Sequence, residues 1–187
     1  MRVISGRYRG LKLNEFEGSD IRPTADRVKE SLFNILFSRI AGAEVCDLFC
    51  GSGSLGIECL SRGAARADFN DLSPRSIKVL KGNLARLKGQ NNYTVTCGDY
   101  SAFLRSARAP YDIIFIDPPY ADDCGISALQ IIGGRNLLKE EGLAVYERDR
   151  PFEGHICGLE KVDERKYGKT YLTFFARAEA SKGEEEV

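Results

Sequence analysis

The run Tyr111-Asp112-Ile113-Ile114-Phe115-Ile116 is apolar on both faces that a strand's two-residue period presents. Such a strand must be covered on each side. That places it in the interior of a parallel sheet with helices on both faces, and rules out a half-solvated antiparallel sheet. The run ends abruptly at Asp117-Pro118-Pro119-Tyr120. Two prolines cannot extend a hydrogen-bonded ladder, so the chain leaves the sheet here in a fixed direction.

The chain from residue 44 onward alternates between strand and helix patterns. Strands are expected at 44–49, 67–71, 93–97, 111–116 and 142–147, and helices at 54–63, 74–88, 100–108 and 124–138. Right-handed crossovers between parallel strands then give a doubly wound sheet. The last two segments, near 156–163 and 170–176, leave no room for a helix, and Gly168 falls in their turn. They should form an antiparallel hairpin at one sheet edge. The expected class is therefore α/β: a doubly wound, mostly parallel seven-stranded sheet with an antiparallel C-terminal edge hairpin and a short N-terminal extension. Upstream, Thr24 is a plausible N-cap for a helix over 25–40, where Val28, Leu32, Ile35, Leu36 and Ile40 recur at helical spacing. Arg22-Pro23 holds the preceding chain extended. Residues 1–22 read as a basic arm or hairpin, 23–178 as the main domain, and 179–187 as a charged, disordered tail.

A chain of 187 residues suits one domain with a proper core. The six cysteines include no Cys-x-x-Cys pair and the sole histidine is His155, so the thiols read as small buried groups and no metal site is expected. No apolar run reaches the length of a membrane span, and the N-terminus lacks a signal peptide's apolar core, which points to the cytoplasm. The formal net charge is zero, but residues 1–13 carry Arg2, Arg7, Arg9 and Lys12 with no acid. Local clusters of this kind set the field that a polyanion meets.

The first strand runs into Asp47-Leu48-Phe49-Cys50-Gly51-Ser52-Gly53-Ser54-Leu55-Gly56 and then a helix. Gly51-x-Gly53-x-x-Gly56 fits a nucleotide-binding fingerprint, and Asp71 follows 20 residues after Gly51 at the second strand's end, where it can accept both hydroxyls of a ribose. Three features favour S-adenosylmethionine over a nicotinamide dinucleotide. Asp47 can serve a cationic amino acid moiety and would repel a pyrophosphate. Asp99, at the end of the third strand, can accept from an adenine amino group, and can equally cap the helix over 100–108. The antiparallel edge hairpin is the usual ending of methyltransferase sheets. Phe49, Ser52, Leu72 and Tyr100 complete the candidate cofactor set.

Ligands of doubly wound sheets sit beyond the C-terminal strand ends at the switch point, which sets Asp117-Pro118-Pro119-Tyr120 against the glycine loop. An exocyclic amine on a base or amide is a poor nucleophile because its lone pair is conjugated. Asp117 and the Pro118 carbonyl, both accepting its N–H bonds, would turn the lone pair toward a methyl sulfonium. Pro119 helps fix the carbonyl's direction and Tyr120 offers a stacking face. Cys50 and Cys124 have no histidine partner, which argues against covalent catalysis and for methylation on nitrogen.

The chain resembles the bacterial methyltransferases that modify the exocyclic N2 of one guanine in small-subunit ribosomal RNA. The resemblance covers nearly the whole length and rests on several runs. The most specific are Arg2-Val3-Ile4-Ser5-Gly6-Arg7-Tyr8-Arg9-Gly10-Leu11-Lys12-Leu13 and Arg22-Pro23-Thr24-Ala25-Asp26-Arg27-Val28-Lys29-Glu30-Ser31-Leu32-Phe33-Asn34. The glycine loop, Asp117 to Tyr120 and Lys166-Tyr167-Gly168-Lys169-Thr170 add to them. It implies S-adenosylmethionine as donor, ribosomal RNA within an assembling small subunit as acceptor, and Asp117 to Tyr120 as the reaction centre. It also implies a basic arm that helps hold RNA, with Arg7, Arg9, Lys12, Arg22, Thr24 and Arg27 as the expected contacts. A monomer with no metal and no membrane partner is expected. Where the family is richer in Glu, this chain reads Asn70-Asp71-Leu72-Ser73, so the ribose acceptor is the shorter acid. Three other readings stay open on residues alone: methylation of adenine N6 or protein glutamine, an NAD-dependent oxidoreductase, and a non-catalytic RNA-binding module.

Overall fold

In the computed structural model, residues 1–15, 23–119 and 123–178 are described. Seven strands form one sheet: β1 (Glu44–Asp47), β2 (Arg66–Asp71), β3 (Tyr93–Cys97), β4 (Tyr111–Ile116), β5 (Leu138–Arg148), β6 (Leu159–Tyr167) and β7 (Thr170–Arg177). Their order is β3-β2-β1-β4-β5-β7-β6. The first five are parallel, whereas β7 runs antiparallel to both β5 and β6. The expected doubly wound sheet with an antiparallel edge is present, and the strand order reverses between β1 and β4. Among the described residues no helix is long and apolar enough to cross a membrane.

The helices are α1 (Pro23–Ile35), α2 (Ser54–Ser61), α3 (Pro74–Leu84), α4 (Tyr100–Ser106) and α5 (Cys124–Gly134). The central strands carry two cores, as their two-sided apolarity requires. Val45, Ile113, Phe115 and Val145 face Val28, Leu32, Phe33 and Leu36 of the α1 region. Cys46, Ile114, Ile116 and Tyr146 face Leu104 of α4 and Ala128, Leu129 and Ile132 of α5.

Several element ends differ from the periodic reading. The first helix stops at Ile35, and a 3-10 turn over Phe37–Arg39 replaces its last turn. The third helix ends at Leu84 and not at 88. The fifth ends at Gly134 because Asn136 takes a φ of 50°, and the strand expected at 142 starts at Leu138. Leu137 and Leu138 are both buried, so they satisfy an apolar helical face and a strand end equally well, and periodicity cannot separate the two.

The first fifteen residues fold back on themselves. Val3 N–H donates to the Leu11 carbonyl at 2.9 Å, Gly10 N–H to the Val3 carbonyl at 2.9 Å and Leu13 N–H to the Met1 carbonyl at 3.0 Å. Val3 and Leu13 are buried against Ile57, Leu60, Leu80 and Leu84 of α2 and α3. Gly6, at a φ of +81°, lies so close to α2 that a Cβ would stand 1.9 Å from the Ser61 carbonyl oxygen. The tail expected to be disordered, 179–187, lies outside the described residues.

Glu58 of α2 has a fully buried side chain. Its carboxylate accepts from Ile4 N–H at 2.8 Å, Ser5 N–H at 2.9 Å and Arg62 Nε at 2.9 Å, and pairs with Lys29 Nζ at 3.2 Å. A buried carboxylate is tolerable only when its lone pairs are filled in this way. Replacing Glu58 by Gln removes the acid that pairs with Lys29, which is itself buried. Urea unfolding should then show a loss of about 3 kcal/mol with an unchanged m-value. A loss below about 1 kcal/mol would mean that Lys29 is satisfied by other groups.

Candidate functional site

The C-terminal ends of β1, β2, β3 and β4 open onto one side of the sheet, and the sequence-predicted residues gather there. Gly53 precedes α2 with a φ of +81°, and a Cβ on it would meet Leu80 Cδ1 at 2.2 Å. Gly56 packs against the Phe69 ring, where a Cβ would fall 2.3 Å from Cε1. The spacing of these glycines therefore reflects close packing of the loop and helix on α3 and β2. Gly51 differs: with a φ of +52°, it has open space where a Cβ would stand. That leaves room for a ligand above the loop.

Asp71 closes the other side of the loop. Its Oδ2 accepts from Gly51 N–H at 2.9 Å, and its Oδ1 accepts from Ser73 N–H at 2.8 Å. The shorter acid thus reaches the glycine turn, and each oxygen keeps a second lone pair for a hydroxyl. Leu72 beside it is 72% exposed, which presents an apolar side chain at the mouth of the site. Asp99 caps α4 by accepting from Ser101 N–H at 2.9 Å, Ala102 N–H at 3.1 Å and Ser101 Oγ at 2.5 Å. All three bonds fall on Oδ1, and together they lower its pKa, the Ser101 hydroxyl bond most. The cap leaves Oδ2 outward, so capping and accepting from an amino group are compatible. Phe49 and Tyr100 form a tilted aromatic pair with ring centroids 5.3 Å apart. Ser52 meets the site through its carbonyl, which accepts from Asn83 Nδ2 at 2.9 Å.

Asp47 is buried at the end of β1, where its Oδ2 accepts from Gly56 N–H at 2.9 Å. Burial raises its pKa to about 7, opposed by that hydrogen bond and by Lys29 and assisted by Asp71. In the parallel register Asp47 lies opposite Phe115, and Leu48 N–H donates to the Phe115 carbonyl at 3.1 Å. Asp117, two residues beyond Phe115, therefore leaves β4 beside the glycine loop. Asp117 is open to solvent along the mouth of the site, while Pro118 is buried and Pro119 exposed. Protein still surrounds the Asp117 carboxyl closely enough to make ionisation costly. That desolvation, followed by the charges of Glu147 and Asp47, holds it well above the usual carboxylate range. Tyr120 lies outside the described residues.

Glu147 is a site residue that sequence reasoning missed. It follows Tyr146, which pairs with Ile116 across β4 and β5, so it flanks Asp117 on the next strand. Its signal was available: an acid at the end of an otherwise apolar strand that adjoins the switch point.

The expected RNA contacts divide between two places. Arg7, Arg9, Lys12 and Arg27 are all exposed. Arg7 N–H donates to the Ser61 carbonyl at 2.7 Å, at the far end of α2 from the glycine loop and about 12 Å away at 1.5 Å per residue. The end of the arm, by contrast, reaches the loop. Asn14 N–H donates to Asn83 Oδ1 at 2.7 Å, and the same Asn83 donates to Ser52. Arg22 and the Thr24 side chain lie outside the described residues.

A doubly wound sheet ending β5-β7-β6, with a carboxylate-lined glycine loop opposite an Asp-Pro-Pro turn, defines the Rossmann-like methyltransferase class. The chain belongs to the family described as conserved hypothetical protein 95, whose model matches residues 1–176. It is 39% identical over 182 residues to YlbH of Bacillus subtilis, covering 95% of this chain and 99% of that protein. It is 37% identical over 156 residues to ribosomal RNA small subunit methyltransferase D of Haemophilus influenzae, covering 81% of each. The solved structure of yhhF from Escherichia coli superposes with a TM-score of 0.84 at 32% identity, covering 95% of this chain and 97% of that one.

The raised pKa of Asp47 makes the fold's stability depend on pH. The folded state holds the proton up to about pH 7, whereas an unfolded Asp releases it near 3.8. The contribution is thus full below about pH 4 and is lost as pH rises through about 7. Asp47→Asn should flatten this slope, with a difference from the parent on the order of 4 kcal/mol accumulating between the two limits. Urea midpoints measured across that window check it; parallel curves for the two proteins would show that Asp47 is ionised throughout.

Proposed function

We infer that this chain transfers a methyl group from S-adenosylmethionine to the exocyclic N2 of a guanine in small-subunit ribosomal RNA. The observation that carries the reading is the pairing of β1 with β4, which sets the glycine loop beside the Asp117 turn. Membership of a family with named ribosomal RNA small subunit methyltransferases supports the substrate.

The residues present suit the donor. Asp71 accepts from ribose hydroxyls, with Gly51 leaving the approach open. Leu72 and the Phe49–Tyr100 pair offer apolar faces to an adenine, and Asp99 Oδ2 accepts from its amino group. Asp47 faces the cationic amino acid portion. S-adenosylmethionine, when bound, supplies an electrophilic methyl group on a sulfonium.

On the acceptor side, the Asp117 carboxylate and the Pro118 carbonyl take the two N–H bonds of the guanine amine. Holding both protons in these directions turns the nitrogen lone pair out of conjugation and toward the methyl carbon. The bound donor would supply the methyl carbon for the new N–C bond and would keep the C–S electron pair on its sulfur, and Asp117 would take the surplus N–H proton. Pro119 stiffens the turn and Tyr120 stacks on the base. Arg7, Arg9, Lys12 and Arg27 hold the RNA backbone within an assembling small subunit, Arg7 at the far end of α2 from the glycine loop.

With methyl-labelled cofactor and undermethylated small subunits, label should appear in N2-methylguanosine after nucleoside digestion. Label in N6-methyladenosine or in protein glutamine would overturn the assigned acceptor. Asp117→Ala should lower turnover by at least about a hundredfold while changing cofactor affinity by less than about twofold. An active Asp117→Ala would remove Asp117 from the reaction centre. Because the Asp117 pKa is raised, the parent's rate should climb with pH as the carboxyl ionises. Asp117→Asn should be slow and lack that limb; a limb that persists would belong to another group.

A further inference from the structure

Arg148, the last residue of β5, is a buried cation with no acid paired to it among the described residues. It is 8% exposed, and its Nε is buried without a hydrogen-bond partner among the described residues. Its guanidinium lies over the Tyr146 ring at 5.2 Å from the centroid and near the Phe152 ring at 5.8 Å. Aromatic faces attract a cation but offer no lone pair in line with an N–H bond. Among the described residues, the acids next to it in sequence or at the start of α5 are paired with another cation, exposed or on the other face. Asp123 pairs with Arg150 at 3.8 Å, Asp149 is exposed, and Glu147 belongs to the opposite face of the strand, toward Asp117.

The position is as informative as the missing partner. Tyr146 pairs with Ile116 across β4 and β5, so Arg148 stands at the edge of the same opening as the Asp117 turn. The first turn of α5 is packed onto the Tyr146 ring, where a Cβ on Gly125 would come within 2.4 Å of Cε2. The guanidinium is therefore held by stacking at the point where the chain comes back from the cup into α5. A planar, permanently charged fork fixed by rings, with its donors unspent, suits a phosphate. The donor's site lies on the other side of β4, above β1 and β2, so the fork is placed for the acceptor.

We propose that Arg148 binds a phosphodiester of the acceptor RNA next to the nucleotide whose amine enters the Asp117-Pro118-Pro119 cup. This rests on the reading of the chain as an RNA methyltransferase. Arg148 is a positioning residue: it fixes the backbone of the nucleotide and leaves the reacting atoms to Asp117.

The test uses the full chain and Arg148→Met, which keeps an apolar stem against the rings, with Arg148→Lys as the charge-retaining variant. Three quantities are measured: affinity for a labelled single-stranded RNA across a salt series, methyl transfer to undermethylated small subunits, and thermal unfolding without ligand. Arg148→Met should bind RNA roughly tenfold more weakly, with a log–log salt slope smaller by about 0.7. Its KM for subunits should rise while cofactor affinity stays unchanged. Removing an unpaired buried cation should leave its melting temperature equal or higher. Arg148→Lys should recover most of the salt slope but less of the turnover, since an ammonium lacks the fork. A lower melting temperature with unchanged RNA affinity and salt slope would make Arg148 a structural residue and overturn the proposal. If the parent chain methylates no subunit, the functional reading fails on its own, and the salt slope still decides the phosphate contact.

Discussion

The Glu58 carboxylate is the point on which the parts of this molecule depend. It joins three segments distant in sequence: Ile4 and Ser5 of the N-terminal loop, Lys29 of α1, and Arg62 just after its own helix. Ser61 adds further bonds from α2 to the N-terminal loop, through Arg7 N–H, Tyr8 N–H and the Ser5 carbonyl, but Glu58 alone joins that loop and α1 at one carboxylate. The same helix carries the glycine loop at its N-terminus, so the node that anchors the arm also sets the loop's position. Asn83 makes a second connection, donating both to Asn14 and to the Ser52 carbonyl. The arm is thus part of the site's scaffold as well as a basic surface.

Carboxyl groups with raised pKa values recur at the C-terminal strand ends. Asp47 and Asp117 both have raised pKa values with desolvation as the largest cause, and the Asp47 charge adds to the shift of Asp117. Such a cluster is unfavourable in the free protein and favourable once a cation and hydrogen-bond donors arrive. The strain sits at adjacent strand ends because parallel β1, β4 and β5 finish side by side. The fold thereby gathers ionisable groups at one edge, and the cores of apolar residues behind them hold the strand ends still.

Much of this arrangement could be read from residues. Two-sided apolar strands such as Ile113 to Ile116 demand a covered parallel sheet, and the missing crossover before Thr170 demands an antiparallel edge. The glycine spacing and the acids at 47, 71, 99 and 117 follow from the same logic, since strand ends in such a sheet converge. Element ends were less legible. Leu137 and Leu138 fit a helix face and a strand equally, and the backbone turn at Asn136 that decides between them leaves no periodic mark. Glu58 was invisible for a different reason. A lone acid in an apolar helix reads as a solvated position until the chain that covers it, fifty residues away, is placed. Arg148 was missed likewise: from sequence it is one more basic residue in Glu147-Arg148-Asp149-Arg150, and only burial separates it from Arg150.

The two sides of the opening carry groups of opposite kind. Toward α1, the Asp47, Asp117 and Glu147 carboxyl groups share one face of three adjacent strands; toward α5, the Arg148 guanidinium lies on rings and its Nε has no acceptor among the described residues. Glu147 and Arg148 adjoin in sequence but cannot turn to the same face of the sheet. The strand's alternation prevents it: residues 147 and 148 point to opposite faces, and the packing of Tyr146 under α5 fixes which face each takes. A ligand that completes both sides must offer hydrogen-bond donors on one part and an anion on another. A nucleotide with its amino edge directed into the cup and its phosphate directed toward α5 has that distribution. A free base or a glutamine side chain satisfies only the first half, so the geometry of β5 itself argues for a nucleic acid as the acceptor.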